Sequence, residues 1–460
     1  MEACMKKKLL AVLLISMVLF SFIGCAKKAE TSVASDSSAA PASASAKEVA
    51  PQKSGVKLTL WNSSQTMADF YNETVIPGFL ASHPEVESVE VLYLPIQDFV
   101  KKLAVVLPAG DVPDIMEIED SWATPYVTAG YFDENTADLD AVLNSMKPEF
   151  KGCLTYNGKT YGVPSAPFHE LLYWNLDMMA EAGIKEIPDT IDGLIDAAVK
   201  MTKRDADGNI VQSGFSMRLG GNPSGTSQKF WVLGLLPNGV DWVEESAKEP
   251  GKYHAGFDNE GGCKALQLYV DMLYKYKIDD FKSMKDTEAF SKEKTAINMR
   301  EASSSTSIIK QGPNVNWTTS PMVKGNEQRA TFMLSLNLYI PKDGKNKDLA
   351  REFIKYATSK EMYEVQVEKR ACFNPYPDMD TTKGLDERLK PGFEFPSDLK
   401  AYGVHVLNSY DMALTKVGEA LPDIFADSSL LDNPEGIKDA VHKLAEIVND
   451  CLKEYDEYAK

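Results

Sequence analysis

The sequence lacks the short motifs that carry common enzymatic chemistry. It has no Gly-x-Ser-x-Gly elbow for a hydrolase nucleophile, no His-Glu-x-x-His zinc helix and no phosphate-binding loop. Histidine is scarce, with five in 460 residues. Only His169 falls where a site is expected below, so a Ser-His-Asp arrangement lacks support. Cysteine is scarce too. Cys153, Cys263, Cys372 and Cys451 are far apart, and no pair has metal-ligand spacing. Export would permit disulfides, but sequence does not pair these residues, and buried free thiols are the default. Positive charge is in deficit: 49 Lys and Arg against 67 Asp and Glu give a net charge of −18. That balance argues against a nucleic-acid or anionic-membrane surface, and it favours a neutral or cationic ligand only weakly. No catalytic group, cofactor or metal is expected.

What is present begins with an export signal. Lys6, Lys7 and Lys8 precede an apolar run over 9–23. That run is short for a membrane span, which needs about 20 residues, and it fits a secretory signal. It ends in Phe22-Ile23-Gly24-Cys25, which resembles a bacterial lipobox with Phe22 where Leu is preferred. The resemblance implies a signal peptide over 1–24 and a lipidated Cys25. Acyl chains such as palmitate would then hold the protein at a membrane, at about 0.8 kcal/mol per buried methylene. An ordinary signal peptide with an incidental Cys is the alternative. Residues 26–55 are rich in Ala, Ser, Lys and Pro, with almost no large apolar side chain. Such a stretch cannot offset its ordering entropy and reads as a disordered tether.

The remaining chain is long enough for two ordinary domains. Residues 56–61 alternate β-formers and predict a strand. Asn62, Ser63, Ser64 and Gln65 follow as helix-capping residues, with a helix through Met67, Phe70 and Tyr71 that Pro77 is expected to break. A strand over 89–94, a helix over 96–107 closed by Gly110, a strand over 113–118 and a helix opening at 119–122 complete the series. Strand–helix alternation means a parallel sheet, in which ligands bind beyond the carboxyl ends of the strands. Two strand ends carry hydrogen-bonding groups beside a Trp. They are Trp61-Asn62-Ser63-Ser64-Gln65 and Glu119-Asp120-Ser121-Trp122.

Asn157-Gly158 between β-rich runs predicts a hairpin with a type I′ turn. The run from Ser165 to Asn175 has no helix period and reads as the chain leaving one lobe for another, which would put Phe168, His169 and Tyr173 in the cleft between them. Beyond it, helices are expected over 176–182 and 190–202. Asp205-Ala206-Asp207-Gly208-Asn209 has its glycine misplaced for a calcium loop and reads as a hairpin turn. A strand over 215–217 empties into Arg218-Leu219-Gly220-Gly221-Asn222, followed by a helix through Phe230, Trp231 and Leu235. An apolar-periodic helix spans 261–276. The chain should cross back over 332–340 and again over 373–377, with a loop-like insert over 378–396. Asn433 and Pro434 open a last helix with one apolar stripe.

Several of these stretches carry a family resemblance. Gly158-Lys159-x-Tyr161-Gly162-x-Pro164, with Trp174-Asn175 shortly after, resembles the extracellular solute-binding proteins of ABC importers, the sugar-binding class that includes maltose-binding protein. Gly110-Asp111-x-Pro113-Asp114 resembles the family's Gly-Asp-x-Pro-Asp. Residues 290–298 resemble its Phe-x-x-Gly-Lys-x-Ala-Met, with Glu293 in place of Gly, and 348–358 matches its helix near the hinge. The resemblance covers most of the chain after Val56. It implies an α/β two-lobe periplasmic-binding-protein fold of the class II type, with three interlobe crossings and a ligand cleft between lobes. Lobe 1 is expected over 56–165 plus 333–372 and lobe 2 over 166–332 plus 373–460. The partners it implies are a small solute, most often a sugar, and the membrane subunits of an ABC permease. The protein would be an exported, lipid-anchored monomer on the periplasmic or extracellular face.

A sugar presents paired hydroxyls and apolar C–H faces. Carboxylates, amides and guanidinium groups satisfy the first, and aromatic rings cover the second. The expected polar contacts are Asn62, Ser64, Gln65, Glu119, Asp120, His169, Arg218, Asn222, Asn298, Arg300 and Glu301. The expected rings are Trp61, Trp122, Phe168 and Trp231, with Trp317 a further candidate. Each has a bland alternative: a polar group caps a helix or solvates the rim, an aromatic packs in the core, and His169 is a satisfied structural histidine. Glu119 or Asp120 facing Glu301 would also suit a glycosidase pair, and a surface sensor or adhesin could reuse the same fold.

Overall fold

The computed structural model describes residues 55–460. The signal segment, Cys25 and all but the last residue of the tether expected over 26–55 lie outside them. One mixed sheet runs through the described chain. Its strand order is Val86–Tyr93, Val56–Asn62, Ile115–Glu119, Arg329–Tyr339, Val163–Asn175, Thr295–Glu301, Ile210–Ser216 and Lys203–Arg204. The first three pair in parallel, with Leu60 opposite Val91 on one side and Ile115 on the other. Ile210–Ser216 and Thr295–Glu301 are again parallel. Between these outer groups lie two long strands that pair antiparallel.

Those two strands join the lobes. Val163–Asn175 pairs with Arg329–Tyr339 over 163–169 and with Thr295–Glu301 over 170–174. Twelve of its 13 residues are buried, and the exception is Phe168. This nearly continuous burial is that of a strand covered on both faces, not of one alternating between core and water. Arg329–Tyr339 continues from Ile115–Glu119 at one end to Leu399–Tyr402 at the other. The chain keeps first-lobe contacts as far as Asp378, where Tyr376 donates to the Thr358 carbonyl and Lys360 pairs with Asp378. It takes second-lobe contacts at Arg388, whose carbonyl accepts from the Thr319 amide. Residues 379–387 therefore complete the third passage, later than the 373–377 expected, because Tyr376 and Asp378 stay bound to the first lobe.

Each lobe has its own core. In the first, Leu58, Leu60 and Ile115 pack on Tyr71, Phe79 and Phe353. In the second, Trp174, Phe215 and Ile297 pack on Trp231, Leu266 and Leu414. A smaller cluster at the crossings holds Leu171, Tyr173, Trp317, Phe373 and Phe393. All four described cysteines are free, with Cys372 and Cys451 buried.

Local structure departs from the sequence expectation at Pro77. Helical winding continues from Gln65–Phe70 through a π turn, Tyr71–Val75, into Ile76–Ser82. The wider turn puts Pro77 in the first turn of the next segment, where its missing N–H costs little. The hairpin forms as expected, with Asn157 and Gly158 both at positive φ. Asp205 staples its turn by accepting from the amides of Asp207 and Asn209. Glu293 adopts φ 54° where the family has Gly.

Candidate functional site

The strand ends of both lobes converge on one cleft. From the first lobe, the Asn62 side chain turns back to accept from the Ser64 amide, 3.3 Å, and Ser64 Oγ accepts from the Met67 amide, 3.3 Å. This cap holds Ser63, Ser64 and Thr66 at the cavity wall. Glu119 ends its strand beside Trp122, and Ser121 Oγ donates to Glu119 Oε1 at 2.5 Å. From the second lobe come Arg218, Asn222, Gln228, Lys229, Arg300, Glu301 and Ser303. The crossing strands supply Phe168, Glu170, Phe332 and Leu334 as the floor. The central cavity is about 370 Å³. It shares Ser64, Arg300 and Arg370 with an open outer region of about 880 Å³, and Arg218 and Lys229 with a side pocket of about 430 Å³.

Ion pairs organise the second-lobe wall. Arg300 grips Glu301 with two donors (Nε to Oε2, 2.9 Å; Nη2 to Oε1, 2.7 Å), and its Nη1 donates to Asp286 Oδ2 at 2.8 Å. Burial alone would raise the Glu301 carboxyl, but the adjacent Arg300 and then Lys229 hold it at about 2. Lys229 pairs with Glu170, and both side chains are buried. Glu119 has no cation to offset its burial, which pushes it up to about 7; the Ser121 hydrogen bond opposes that shift, and Asp411 and Glu301 add to it.

Eight of the residues expected from sequence line the central cavity: Ser64, Glu119, Trp122, Phe168, Arg218, Asn222, Arg300 and Glu301. Asn298 lines the side pocket. The other six lie off these walls, each held by a local partner. Trp61 packs in the first lobe under Lys102, whose Nζ sits 4.4 Å from the ring centroid. Asn62 is buried in the cap just described. Gln65 is exposed and donates to Asp69. Asp120 is buried and accepts from the Ser335 amide of the second crossing strand, 3.1 Å. His169 sits among Phe373, Phe393 and Phe395, with Nε2 3.3 Å from the Gly392 carbonyl, and burial pushes it down to about 4. Trp231 stacks on Phe332 in the second-lobe core and donates to Asp241. Glu170, Lys229 and Arg370 were not expected at the site.

A family described as bacterial extracellular solute-binding protein matches residues 64–364, more than half of the chain. The chain belongs to that family. Among curated relatives, the diacetylchitobiose binding protein DasA of Streptomyces coelicolor is 24% identical over 368 residues, 77% of this chain and 79% of that protein. Among solved structures, an ABC transporter solute-binding protein of Thermotoga lettingae bound with α-D-tagatose aligns at a TM-score of 0.70 with 23% identity, covering 86% of this chain and 99% of that one. The GacH receptor of Streptomyces glaucescens aligns at 0.68 with 20% identity, covering 85% and 98%. The shared architecture is the two-lobe binding-protein fold, and these relatives are binding proteins. Among the described residues, no helix is long and apolar enough to cross a membrane.

In this solute-binding protein, Glu119 makes the cleft sensitive to pH. Its folded value of about 7 lies above its ordinary 4.5. The unfolded chain therefore gives up this proton first, so stability falls as pH rises from about 4.5 to about 7. Glu119→Gln should lose its share of that fall. Thermal melts at pH 5 and pH 8 should show a smaller decline than in the unsubstituted protein, and equal declines would contradict the assignment.

Proposed function

We propose that the protein captures a sugar or oligosaccharide between its lobes and delivers it unaltered to the membrane subunits of an ABC importer. The observation that carries this reading is the joint lining of one cavity by guanidinium and carboxylate groups and by the rings of Trp122 and Phe168. These are the two surfaces a saccharide needs. Glu119, Trp122 and Ser64 come from one lobe, and Arg218, Arg300 and Glu301 from the other. A ligand touching both sets favours the closed form and shifts a hinge equilibrium toward it. Lobe 1 over 56–165 plus 333–378 turns against lobe 2 over 166–332 plus 388–460, with 379–387 as the connection between them.

Binding without turnover is supported by the state of Glu301. Both of its oxygens are engaged by Arg300, which leaves it poorly placed to attack an anomeric carbon or relay a proton. The tagatose-bound and diacetylchitobiose-binding relatives favour a saccharide over an amino acid or peptide. Thermal-shift screening against saccharide, amino-acid and peptide panels tests the reading. A saccharide at about 100 times its Kd should stabilise by about 2.7 kcal/mol and be recovered intact. Stabilisation by peptides alone, or recovery of a cleaved sugar, would overturn it.

The lipobox places the protein at a membrane through Cys25, with residues 26–55 as its tether. Cys25→Ser should move the protein from the membrane to the soluble fraction on cell fractionation. Retention in the membrane would reject the anchor.

A further inference from the structure

Most cations around the cleft already have a carboxylate. Lys229 has Glu170, Arg300 has Glu301 and Asp286, and Lys285 has Asp279. Arg370 has none among the described residues. It lines both the central cavity and its outer region from the first lobe. Neutral groups hold it in place. Nη1 contacts the Gln366 amide oxygen at 3.1 Å and the Met67 sulfur, and Nη2 reaches Thr66 Oγ1 at 3.2 Å. Its Nε is buried with no hydrogen-bond partner. Phe70 lies under the guanidinium, 5.8 Å from Cζ to the ring centroid. The fork is therefore oriented, and no carboxylate pairs with it directly; the buried Glu117 feels its charge from farther off.

Across the cavity, Arg218 is only partly compensated. Its nearest carboxylate is Asp286 at 3.8 Å, and that oxygen already accepts from Arg300. Gly225 makes room for it, because a Cβ there would lie 3.0–3.2 Å from the guanidinium atoms. The central cavity is thus walled by Arg218, Lys229, Arg300 and Arg370 against Glu119, Glu170 and Glu301. With Asp286 behind Arg218 and Arg300 the charges balance in number, and Arg370 is the cation left without a directly paired carboxylate.

We propose that the bound saccharide is a sugar acid, whose carboxylate pairs with Arg370 on the first lobe and, as the lobes close, with Arg218 on the second. A hydroxyl cannot neutralise a guanidinium, whereas a planar carboxylate matches its fork with two parallel hydrogen bonds. The burial that keeps Glu119 protonated toward neutral pH also spares such a ligand a nearby negative charge. This inference rests on the saccharide reading above.

Calorimetric titration of the full-length protein separates the two. The ligands are disaccharides bearing a galacturonate or glucuronate unit, their neutral galactose or glucose counterparts, hexose phosphates and short peptides. The acidic disaccharide should bind at least about tenfold tighter than its neutral match, and the preference should shrink as salt rises. Arg370→Gln should bring the acid-to-neutral affinity ratio close to one, and Arg370→Lys, which keeps the charge but not the fork, should retain part of it. A melt of each variant verifies folding. A neutral sugar that binds as well as the acid would overturn the inference and leave the saccharide reading standing. A hexose phosphate that outranks the uronate would overturn the carboxylate assignment. Binding of peptides with no saccharide binding would overturn both.

Discussion

Arg300→Ala should lower the affinity for the proposed saccharide about 100-fold, equivalent to about 2.7 kcal/mol. Two losses combine. Arg300 lines the cavity itself, and a charge-assisted hydrogen bond to a ligand contributes about 1.5–3 kcal/mol. It also sets the geometry and charge of Glu301. Burial raises the Glu301 carboxyl, and Arg300 is the strongest influence holding it down at about 2. Without the guanidinium, Ser304 Oγ, which donates to Glu301 Oε1 at 2.9 Å, and the more distant charge of Lys229 still act on it. The carboxyl then turns from a fixed acceptor into a group that titrates nearer its ordinary range. Titration calorimetry of the variant should show both the drop and a pH dependence of binding moved upward from that of the unsubstituted protein, with binding weakening as pH falls and Glu301 gains a proton. Unchanged affinity would remove Arg300 and Glu301 from the site.

How far the site was legible depended on what kind of signal each residue gave. Ser64, Glu119, Trp122, Arg218 and Asn222 could be read because they follow predicted strands. In an α/β sheet the loop after a strand opens toward the ligand, and period-two patterning locates the strand. Arg300 and Glu301 close a strand themselves, but they were placed by the resemblance of 290–298 to the family motif and not by patterning. Chemistry alone was a poorer guide. Trp61 and Trp231 are the right residue type, but an aromatic ring says nothing about the direction it faces, and tertiary packing sends Trp231 onto Phe332. Gln65 and Asp69 satisfy one another one helical turn apart.

The unexpected residues gave weaker signals. Glu170 adjoins His169 in the crossing stretch, so attention to both neighbours would have found it. Lys229 lies seven residues after Asn222, two turns on, along a helix whose cavity-facing side also carries Gly225. Arg370 looked like an ordinary cation at a helix C-terminus, where the macrodipole favours one. It faces the cleft only because helix Lys360–Arg370 packs on the helical turns at 65–75, a contact with no local sequence mark. The fold was more legible than the site. Strand periodicity, the Asn157-Gly158 turn and the Asn433 cap are local and appear where expected. Pro77 was misjudged because a π turn, set by packing of Tyr71 and Val75 in the core, changes which amide the proline removes.

Lys229→Met should cost about 3–5 kcal/mol of stability, as breaking a buried ion pair from one side does. Lys229 and Glu170 are each pushed toward neutrality, with burial the largest cause in both: the lysine is lowered and the glutamate raised. Neither ion is comfortable in the cleft floor, and each is tolerated because the other is there. Removing the lysine also removes the attraction that opposes the rise of Glu170. The sign of the pH effect follows. A carboxyl whose folded pKa lies above its unfolded one favours the folded state most at low pH, and stability is lost as pH rises from the unfolded value toward the folded one. The destabilisation of Lys229→Met should therefore be smaller at pH 5 than at pH 8, as read from urea unfolding. Lys229→Met combined with Glu170→Leu should regain most of the loss, since an apolar pair leaves no uncompensated charge. An equal loss at both pH values, or no recovery in the double variant, would mean that the two side chains do not hold one another at the base of the cleft.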